Sequence, residues 1–310
     1  MSSSSLDLDW RLRHAALDAL SRITDRSGGV VTREQMTAGF EFAGERVPFA
    51  LRARRIWKPG LLGTGGAALS ITTVPVKPGV TPPYDDQIAS DEGWFEYRYQ
   101  GTDPGAADNR AVRRAWELGR PLIYFYGIGP GVYEAVAPVY VVGDDPARLT
   151  FKVAADATSL GDPRLMEGGA EAPLKAYATA AVKRRLHQHR FRELVVAAYG
   201  ERCTVCRLHH PELLDAAHIL EDRDERGKPE VPNGLALCKI HHGAYDANIM
   251  GIAPDCRVHI REDVLAEADG PMLLHGLQEI HGVLIQVPAR AELKPRREYL
   301  EERYAAFRAA

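Results

Sequence analysis

Two closely spaced pairs of metal-ligand residues in the last third of the chain constrain its fold more than any other feature. Cys203 and Cys206 are separated by two residues, as are Cys238 and His241, and about thirty residues lie between the pairs. This spacing is typical of a closed tetrahedral zinc site, because each pair can turn both side chains towards one ion. The alternative is a group of buried, inert thiols. We predict a structural zinc ion, and we expect Cys256, which could otherwise replace His241, to be a small core residue.

The composition is that of an ordinary globular protein. Hydrophobic residues make up 45% and charged residues 26% of the 310 residues, which excludes a mainly disordered, collagenous or coiled-coil chain. A signal peptide needs a basic end followed by an apolar core, whereas this chain has Asp7 and Asp9 in that region. No segment has the long uncharged apolar run of a membrane span. We therefore predict a cytoplasmic protein. The formal net charge is only -3, so any nucleic acid must be bound through a local basic patch.

Hydrophobic periodicity divides the chain into distinct parts. Leu12 to Ile23 have the spacing of an amphipathic helix that ends at Gly28 and Gly29. Apolar runs and alternation between Ala67 and Ala154 predict a β-rich domain, interrupted by one helix that Asn109 caps. The predicted boundaries are a first domain over 1–155, a linker rich in Gly, Pro and acidic residues over 156–174, and a second domain over 175–310.

A predicted helix from Lys175 to Tyr199 carries the strongest basic concentration in the chain, with one acid, Glu193. An isolated charge run of this kind is often a solvated helix face. Its position beside the cysteine pairs favours contacts with nucleic-acid phosphates instead. The residues predicted to make these contacts are Lys183, Arg184, Arg185 and Arg190.

Four further polar residues lie between and just after the two ligand pairs. Hydrolysis of a phosphodiester needs a base to activate water and a cation to neutralise charge. Histidine titrates near neutral pH, so His218 can serve as the base. His242 and Asp246 are four residues apart and share one face of a helix, where they can hold a divalent ion. Asn233 fits an orienting role across the hairpin.

The strings DAAHI, NGLALC and HHGAYD, together with the Cys-x-x-Cys pair, resemble a restriction-associated branch of the HNH endonuclease family over residues 190–260. The resemblance implies a ββα-metal fold in which His218 is the catalytic base, Asn233 belongs to the catalytic set, and His242 contributes to catalysis and, with Asp246, binds Mg²⁺ or another divalent ion. Many relatives carry a third metal ligand where this chain has Ala217. Asp215 is the tentative substitute.

Residues 82–153 resemble, more faintly, the SRA domain, a modified-base reader of the PUA-like superfamily. The matching strings are SITT, PYDD, FEYRYQG, DNRAV, PLIYFYGI, PVYVV and LTFKV, whereas Glu134 departs from that family's Tyr-Asp-Gly signature. The resemblance implies that a base is flipped out of the duplex and read there. It predicts Tyr84 and Tyr99 as the stacking rings and Asp86 and Gln100 as edge readers. The alternative for a tyrosine on such a strand is ordinary sheet packing.

Together these features predict an α+β protein with a β-rich SRA/PUA-like first domain and a C-terminal ββα-metal HNH domain that contains a structural zinc. The predicted function is a modification-dependent DNA endonuclease that recognises a methylated or hydroxymethylated cytosine and hydrolyses phosphodiester bonds nearby. The alternatives are an HNH nuclease that does not depend on modification and a zinc-supported DNA-binding protein without activity. The expected partner is double-stranded DNA, with no membrane. A homodimer would be required if one HNH site per chain is to cut both strands.

Overall fold

The computed structural model describes residues 3–52, 54–73, 94–155, 171–221, 224 and 226–310, without the side chains of 3–7, 171–181, 183 and 184. These residues form a mixed α+β protein, as predicted. They divide into two compact units between Leu186 and His187. None of the helices in the described part of the chain is long and apolar enough to cross a membrane.

The first unit is built on a mixed sheet. Its helices are α1 (Ser3–Ser27), α2 (Arg33–Ala38) and α3 (Ala107–Glu117). Its described strands are β1 (Val30–Thr32), β2 (Phe40–Phe42), β3 (Glu45–Val47), β4 (Ile56–Trp57), β5 (Ser70–Thr72), β6 (Phe95–Arg98), β7 (Leu122–Gly129), β8 (Val132–Asp145) and β9 (Thr150–Ala155). The main sheet has the order β4-β5-β7-β8-β9-β6, and β1 also pairs with β8. Strands β5 and β7 run parallel, whereas the other described pairs in this sheet are antiparallel.

Strand β7 lies at the centre of the first unit and is buried along its whole length. Tyr124 and Tyr126 pack into one apolar cluster, which includes helix α3. Ile123 and Phe125 pack into a second cluster, which includes residues of α1 and α2. Because successive side chains of a strand point to opposite faces, β7 joins both halves of the core.

A buried ion-pair network holds helix α1 against the sheet. The Asp9 carboxylate accepts hydrogen bonds from Nε of Arg13 at 2.9 Å and from Nε of Arg120 at 2.7 Å. Arg13 also donates to the carbonyl of Pro121 at 2.6 Å. Burial lowers the pKa of the Arg13 guanidinium, and Asp9 opposes that effect. The network satisfies charges that would otherwise be costly in the core.

One local prediction in the first half of the chain was wrong. Asn109 lies inside the first turn of α3 rather than at its cap, and its side chain bonds to the backbone of Gln100 and Asp103. It therefore fixes the loop before the helix. The linker over 156–174 stays a prediction, because residues 156–170 lie outside the described part; helix α4 (Glu171–Ala198) begins within its last residues.

The second unit contains two short hairpins and several helices. Its described elements after α4 are β10 (Leu214–His218), β11 (Gly234–Cys238), α5 (Lys239–Asp246), β12 (Met250–Ile252), β13 (Val258–Ile260), α6 (Glu262–Ala266), α7 (Pro271–Gly276) and α8 (Arg297–Ala309). Strands β10 and β11 pair antiparallel, with His218 opposite Gly234. Helix α5 follows β11 directly. We call β10, β11 and α5 the ββα module.

Candidate active site and metal cluster

The ββα module borders an open cleft in the second unit. The cleft collects side chains from α4, from the end of β10, from α5 and from α8. Its polar lining consists of Gln188, His189, Arg192, Asp215, His218, Glu221, His242, Asp246 and Arg303. Imidazoles, carboxylates and guanidiniums therefore face one solvent-accessible space.

His218 is the last residue of β10 and is held by an aromatic neighbour. Its ring stacks on Phe191 with the centroids 4.0 Å apart and the planes inclined by 23°. Gly234, opposite His218 in the hairpin, makes this packing possible. A Cβ at Gly234 would lie 2.8 Å from Cζ of Phe191 and 2.4 Å from Cγ2 of Val195, so only glycine allows helix α4 to approach so closely.

Asn233 fixes the loop that follows His218. Its side chain is 1% exposed. Its Oδ1 accepts from the backbone N–H of Leu220 at 2.9 Å, and its Nδ2 donates to the carbonyls of Leu220 at 3.0 Å and Lys228 at 3.2 Å. The backbone N–H of Ile219 also donates to the carbonyl of Asn233 at 3.0 Å. These bonds determine where the chain leaves β10, immediately after His218.

Helix α5 places His242 between two carboxylates. Nδ1 of His242 is 3.3 Å from Oδ2 of Asp215, and Nε2 is 3.3 Å from Oδ2 of Asp246. The i, i+4 spacing predicted a shared face for His242 and Asp246, and the helix provides it. The two ring nitrogens thus have different environments, because Asp215 is partly buried whereas the side chain of Asp246 is 64% exposed.

Lys239 forms hydrogen bonds to the carboxylate of Asp215, which the sequence suggested as a third metal ligand. Its Nζ lies 2.7 Å from Oδ1 and 2.6 Å from Oδ2 of Asp215. Burial would raise the pKa of Asp215, but hydrogen bonds from Lys239 and His242 outweigh it and lower the pKa below its usual value. Ala217, which lies where many relatives carry the third ligand, is fully buried in the core.

The two Cys/His pairs form one compact cluster. The ligand atoms of Cys203, Cys206, Cys238 and His241 all lie within 4.8 Å of one another, and no other such group is found among the described residues. Nδ1 of His241 is 3.4 Å from Sγ of Cys203 and 3.3 Å from Sγ of Cys238. Zinc bonds of about 2.3 Å to sulfur and about 2.0 Å to nitrogen, at tetrahedral angles, separate ligand atoms by about 3.5 to 3.8 Å. The cluster is therefore compatible with zinc.

The surroundings of the cluster suit a metal site. Nε2 of His241 is 2.9 Å from the carbonyl of Gly276, which leaves Nδ1 for the metal, as a histidine ligand requires. The thiols of Cys206 and Cys238 lower the pKa of the Cys203 thiol by hydrogen bonding to it. Cys256 lies outside the cluster and packs against the core of the second unit.

Residues 203–253 match the family model of the HNH endonuclease. This segment is an HNH endonuclease domain. The match covers the metal cluster, both strands of the ββα module and helix α5, and it classes the protein among nucleases. We therefore call the ββα module with its metal cluster the HNH module.

Over its whole length the chain shows only weak similarity to known proteins. No curated protein sequence matches the chain. Among solved structures, the chain is similar to a modification-dependent TagI restriction endonuclease, with 15% identity and a TM-score of 0.28 over 78% of this chain and 82% of that one. It is also similar to the type IV phosphorothioation-dependent restriction endonuclease ScoMcrA, with 15% identity and a TM-score of 0.22 over 63% of this chain and 52% of that one. Both TM-scores are too low to establish a common fold.

Tyr99, one of the residues predicted to bind a modified base, is enclosed in the core of the first unit. Tyr99 is 3% exposed and stacks on Phe151 with the ring centroids 4.5 Å apart. Its hydroxyl is hydrogen-bonded to Asp144 and Arg113, and burial, reinforced by Asp144, raises the pKa of Tyr99 to about 12. A ring enclosed in this way offers no face to a base, so the stacking role predicted for Tyr99 does not fit its position.

The other three residues of the predicted base site give no support to that site. The side chain of Gln100 is exposed, and its backbone is tied to Asn109. Tyr84 and Asp86 lie outside the described residues.

The basic helix α4 is only partly available for phosphates. Arg185 pairs with the fully buried carboxylate of Glu134, within the first unit. The guanidinium of Arg185 therefore takes part in a structural ion pair, and its phosphate contact stays a prediction. Arg190 is partly buried in the second unit, and the side chains of Lys183 and Arg184 are outside the description.

Sequence reasoning missed four residues that shape the site. Phe191 and Lys239 contact His218 and Asp215 only through the tertiary fold, so no local pattern indicates them. Arg192, whose Nε is 3.1 Å from the carbonyl of Leu214, was assigned to a general basic face. A signal did exist for Gly234, since a glycine within a strand often marks a close backbone approach.

Proposed function

We propose that this protein is a metal-dependent DNA endonuclease whose HNH module hydrolyses phosphodiester bonds and whose first unit recognises a modified cytosine in double-stranded DNA. The observation that carries the nuclease part is the cleft of the HNH module, where His218 and the pair of His242 and Asp246 face one space. A base and a metal-binding pair are the two components that phosphodiester hydrolysis needs.

His218 acts as the general base in this proposal. It takes a proton from a water molecule that attacks the phosphorus atom. The stacking on Phe191 gives its ring one orientation. Asn233 acts as a positioning residue, because its hydrogen bonds hold the chain directly after His218.

His242 and Asp246 would hold the catalytic divalent ion, Mg²⁺ or another of that class, because Nε2 of His242 and the Asp246 carboxylate face each other. When bound, such an ion neutralises charge on the scissile phosphate and the leaving oxygen. Asp215 accepts a hydrogen bond from Nδ1 of His242 and orients its ring, as second carboxylates commonly do for histidine ligands. This role suits Asp215 better than direct metal binding, because Lys239 bonds to both of its oxygens.

Zinc at Cys203, Cys206, Cys238 and His241 has a structural role in the proposal. Four protein ligands would fill the shell of a bound zinc ion, as in other structural zinc sites, and would leave no position for substrate. His241 and His242 are neighbours on helix α5, so the metal cluster fixes the helix that presents His242 to the cleft.

Recognition of a modified cytosine is the finer part of the proposal. Its support is the sequence resemblance of residues 82–153 to the SRA domain. Because Tyr99 is enclosed in the core, the recognition site has to be built from other residues of the first unit.

The test is digestion of DNA duplexes of identical sequence that carry methylated, hydroxymethylated or unmodified cytosine, each with Mg²⁺, Mn²⁺ or no added divalent ion. We expect cleavage that needs a divalent ion and is faster on a modified duplex. Equal cleavage of all three duplexes would leave an HNH nuclease without modification dependence. Binding without cleavage under every condition would favour the zinc-supported DNA-binding protein.

A further inference from the structure

The first unit contains a second polar cleft, of about 280 Å³. One side is formed by Arg33 at the start of α2 and by Arg52, Arg54 and Arg55, which precede β4. Strands β5 and β8 contribute hydroxyl groups on the other side, from Thr72, Thr73 and Tyr133. None of the sequence motifs described above predicted this site.

The charge of this arginine cleft is strongly positive. Among the described residues that line it there is no carboxylate. Two acids outside the lining interact with these arginines: Asp108 is 3.6 Å from Arg54, and Glu34 interacts electrostatically with Arg33 and Arg52. Like charges gathered in one concave site repel each other, so the cleft is suited to an anionic ligand.

Two of the arginines are held in place by aromatic rings. Arg33 donates to the hydroxyl of Tyr133 and lies 5.3 Å above its ring centroid. Arg55 lies 5.1 Å above the ring of Tyr97, whose hydroxyl donates to the carbonyl of Arg55 at 3.0 Å. Guanidiniums held in this way lose little conformational entropy when they bind a ligand.

We propose that this arginine cleft binds a backbone phosphate of the DNA substrate, an inference that rests on the proposed nuclease function. Arginine binds phosphate through two parallel N–H bonds, and such contacts position DNA without reading its sequence. Arg52 and Arg54 are exposed at the opening and contact the phosphate first, whereas Arg33 and Arg55 form the fixed inner wall. A set of four arginines around a small, open cleft suits one segment of a long polyanion better than an enclosed small molecule.

The experiment compares the double variant Arg52→Gln/Arg54→Gln with a matched control, Arg22→Gln/Arg26→Gln, which removes the same charge from exposed positions on α1. Both are made in the His218→Ala full-length chain so that DNA is bound without being cut. The affinity for a duplex is measured between low and moderate salt. The cleft variant should reduce the slope of log K against log[salt] by about 1, since each phosphate contact contributes about 0.9. The control should keep the parent slope.

Further arms separate the alternative outcomes. The variant Arg52→Lys/Arg54→Lys keeps both charges and should retain most of the salt slope of the parent. Equal melting temperatures show that all variants are folded. Equal slopes for the cleft variant and the control would overturn the phosphate site while leaving cleavage by the wild type intact. If inorganic phosphate raises the melting temperature of the parent but not of the cleft variant, and the DNA slopes are equal, the cleft binds free anions and the proposal is wrong. A wild type that neither binds nor cuts DNA would refute the nuclease proposal, and this site with it.

Discussion

Gly234 shows how the absence of a side chain can position the ring of His218, the proposed base. Replacement by alanine would place a Cβ against Phe191 and Val195, and Phe191 carries the stacked ring of His218. We expect Gly234→Ala to lower the free energy of unfolding by about 1 to 3 kcal/mol, as overpacking usually does. Cleavage should fall further than stability alone explains, because the orientation of His218 changes. Denaturant unfolding and DNA cleavage rates measure the two effects.

Gly243 on helix α5 offers a matched control. A Cβ there meets nothing within 4 Å, and alanine is favoured over glycine in a helix by about 1 kcal/mol. Gly243→Ala should therefore keep or raise stability. If Gly234→Ala and Gly243→Ala had the same effect on stability and cleavage, the close-approach argument would be wrong.

Asp215 gives a prediction for pH dependence. Its pKa in the folded protein is lowered by Lys239 and His242, against the effect of burial. The stability that these contacts contribute is therefore fully present above the unfolded pKa of about 3.9, and it is lost as the pH falls through the lower folded pKa. The difference in unfolding free energy between the wild type and Asp215→Asn should shrink as the pH is lowered from about 6 to 3. A difference that stays constant or grows on acidification would contradict this assignment.

Sequence patterns could indicate the residues whose chemistry is local to a motif. His218, Asn233, His242 and Asp246 lie in short strings, and the i, i+4 spacing on helix α5 follows directly from helical geometry. Phe191 and Lys239 could not be found in this way. Their contacts depend on how α4 and α5 pack against β10, which no local periodicity specifies.

At the scale of elements, the metal cluster links the turn that contains Cys203, the end of β11 and helix α5. The backbone N–H of Thr204 donates to the carbonyl of Ala236 at 2.8 Å, so the turn and the strand also share a hydrogen bond. We expect the purified protein to contain about one zinc ion per chain, and Cys203→Ser to lose most of it. Because metal binding is coupled to folding at such sites, this variant should also unfold at a lower temperature. Metal analysis and thermal unfolding test both points, with Cys256→Ser as the control that keeps the metal.

The alternative for these four residues makes a different prediction. Buried, inert thiols would leave the protein free of metal and folded, and Cys203→Ser would then cost no more than Cys256→Ser. That combination of results would contradict a structural zinc ion at the four residues, but not the fold of the HNH module.

Elements differ in how well the sequence predicts them. The apolar and alternating runs identified β5 to β9 because these strands pack against buried clusters on one or both faces. Strands β1 to β4 have two or three residues each, too few for periodicity to be recognised. Helix α1 is longer at both ends than its apolar stripe, and residues before the stripe also contact the core, namely Leu8 and the buried Asp9.

At the scale of the whole molecule, the chain combines an HNH module with a first unit built on a mixed sheet. The sequence correctly indicated an α+β protein and the position of the nuclease. It could not indicate that the Tyr99 ring lies in the core, because alternation along β6 marks which residues face inward without distinguishing a ligand pocket from packed side chains. For the same reason, the arginine cleft became visible only when α2, β5 and β8 were assembled.

The central claim is that His218 is the base of a DNA-cleaving site. The most direct measurement compares cleavage of duplex DNA by the wild type and by His218→Ala in the presence of a divalent ion. A general base accelerates a reaction about 10²- to 10⁴-fold. The cleavage rate of His218→Ala should therefore fall by a factor of about 10² or more, while its DNA affinity and melting temperature stay near those of the wild type. Cleavage by His218→Ala above about a tenth of the wild-type rate would contradict the claim.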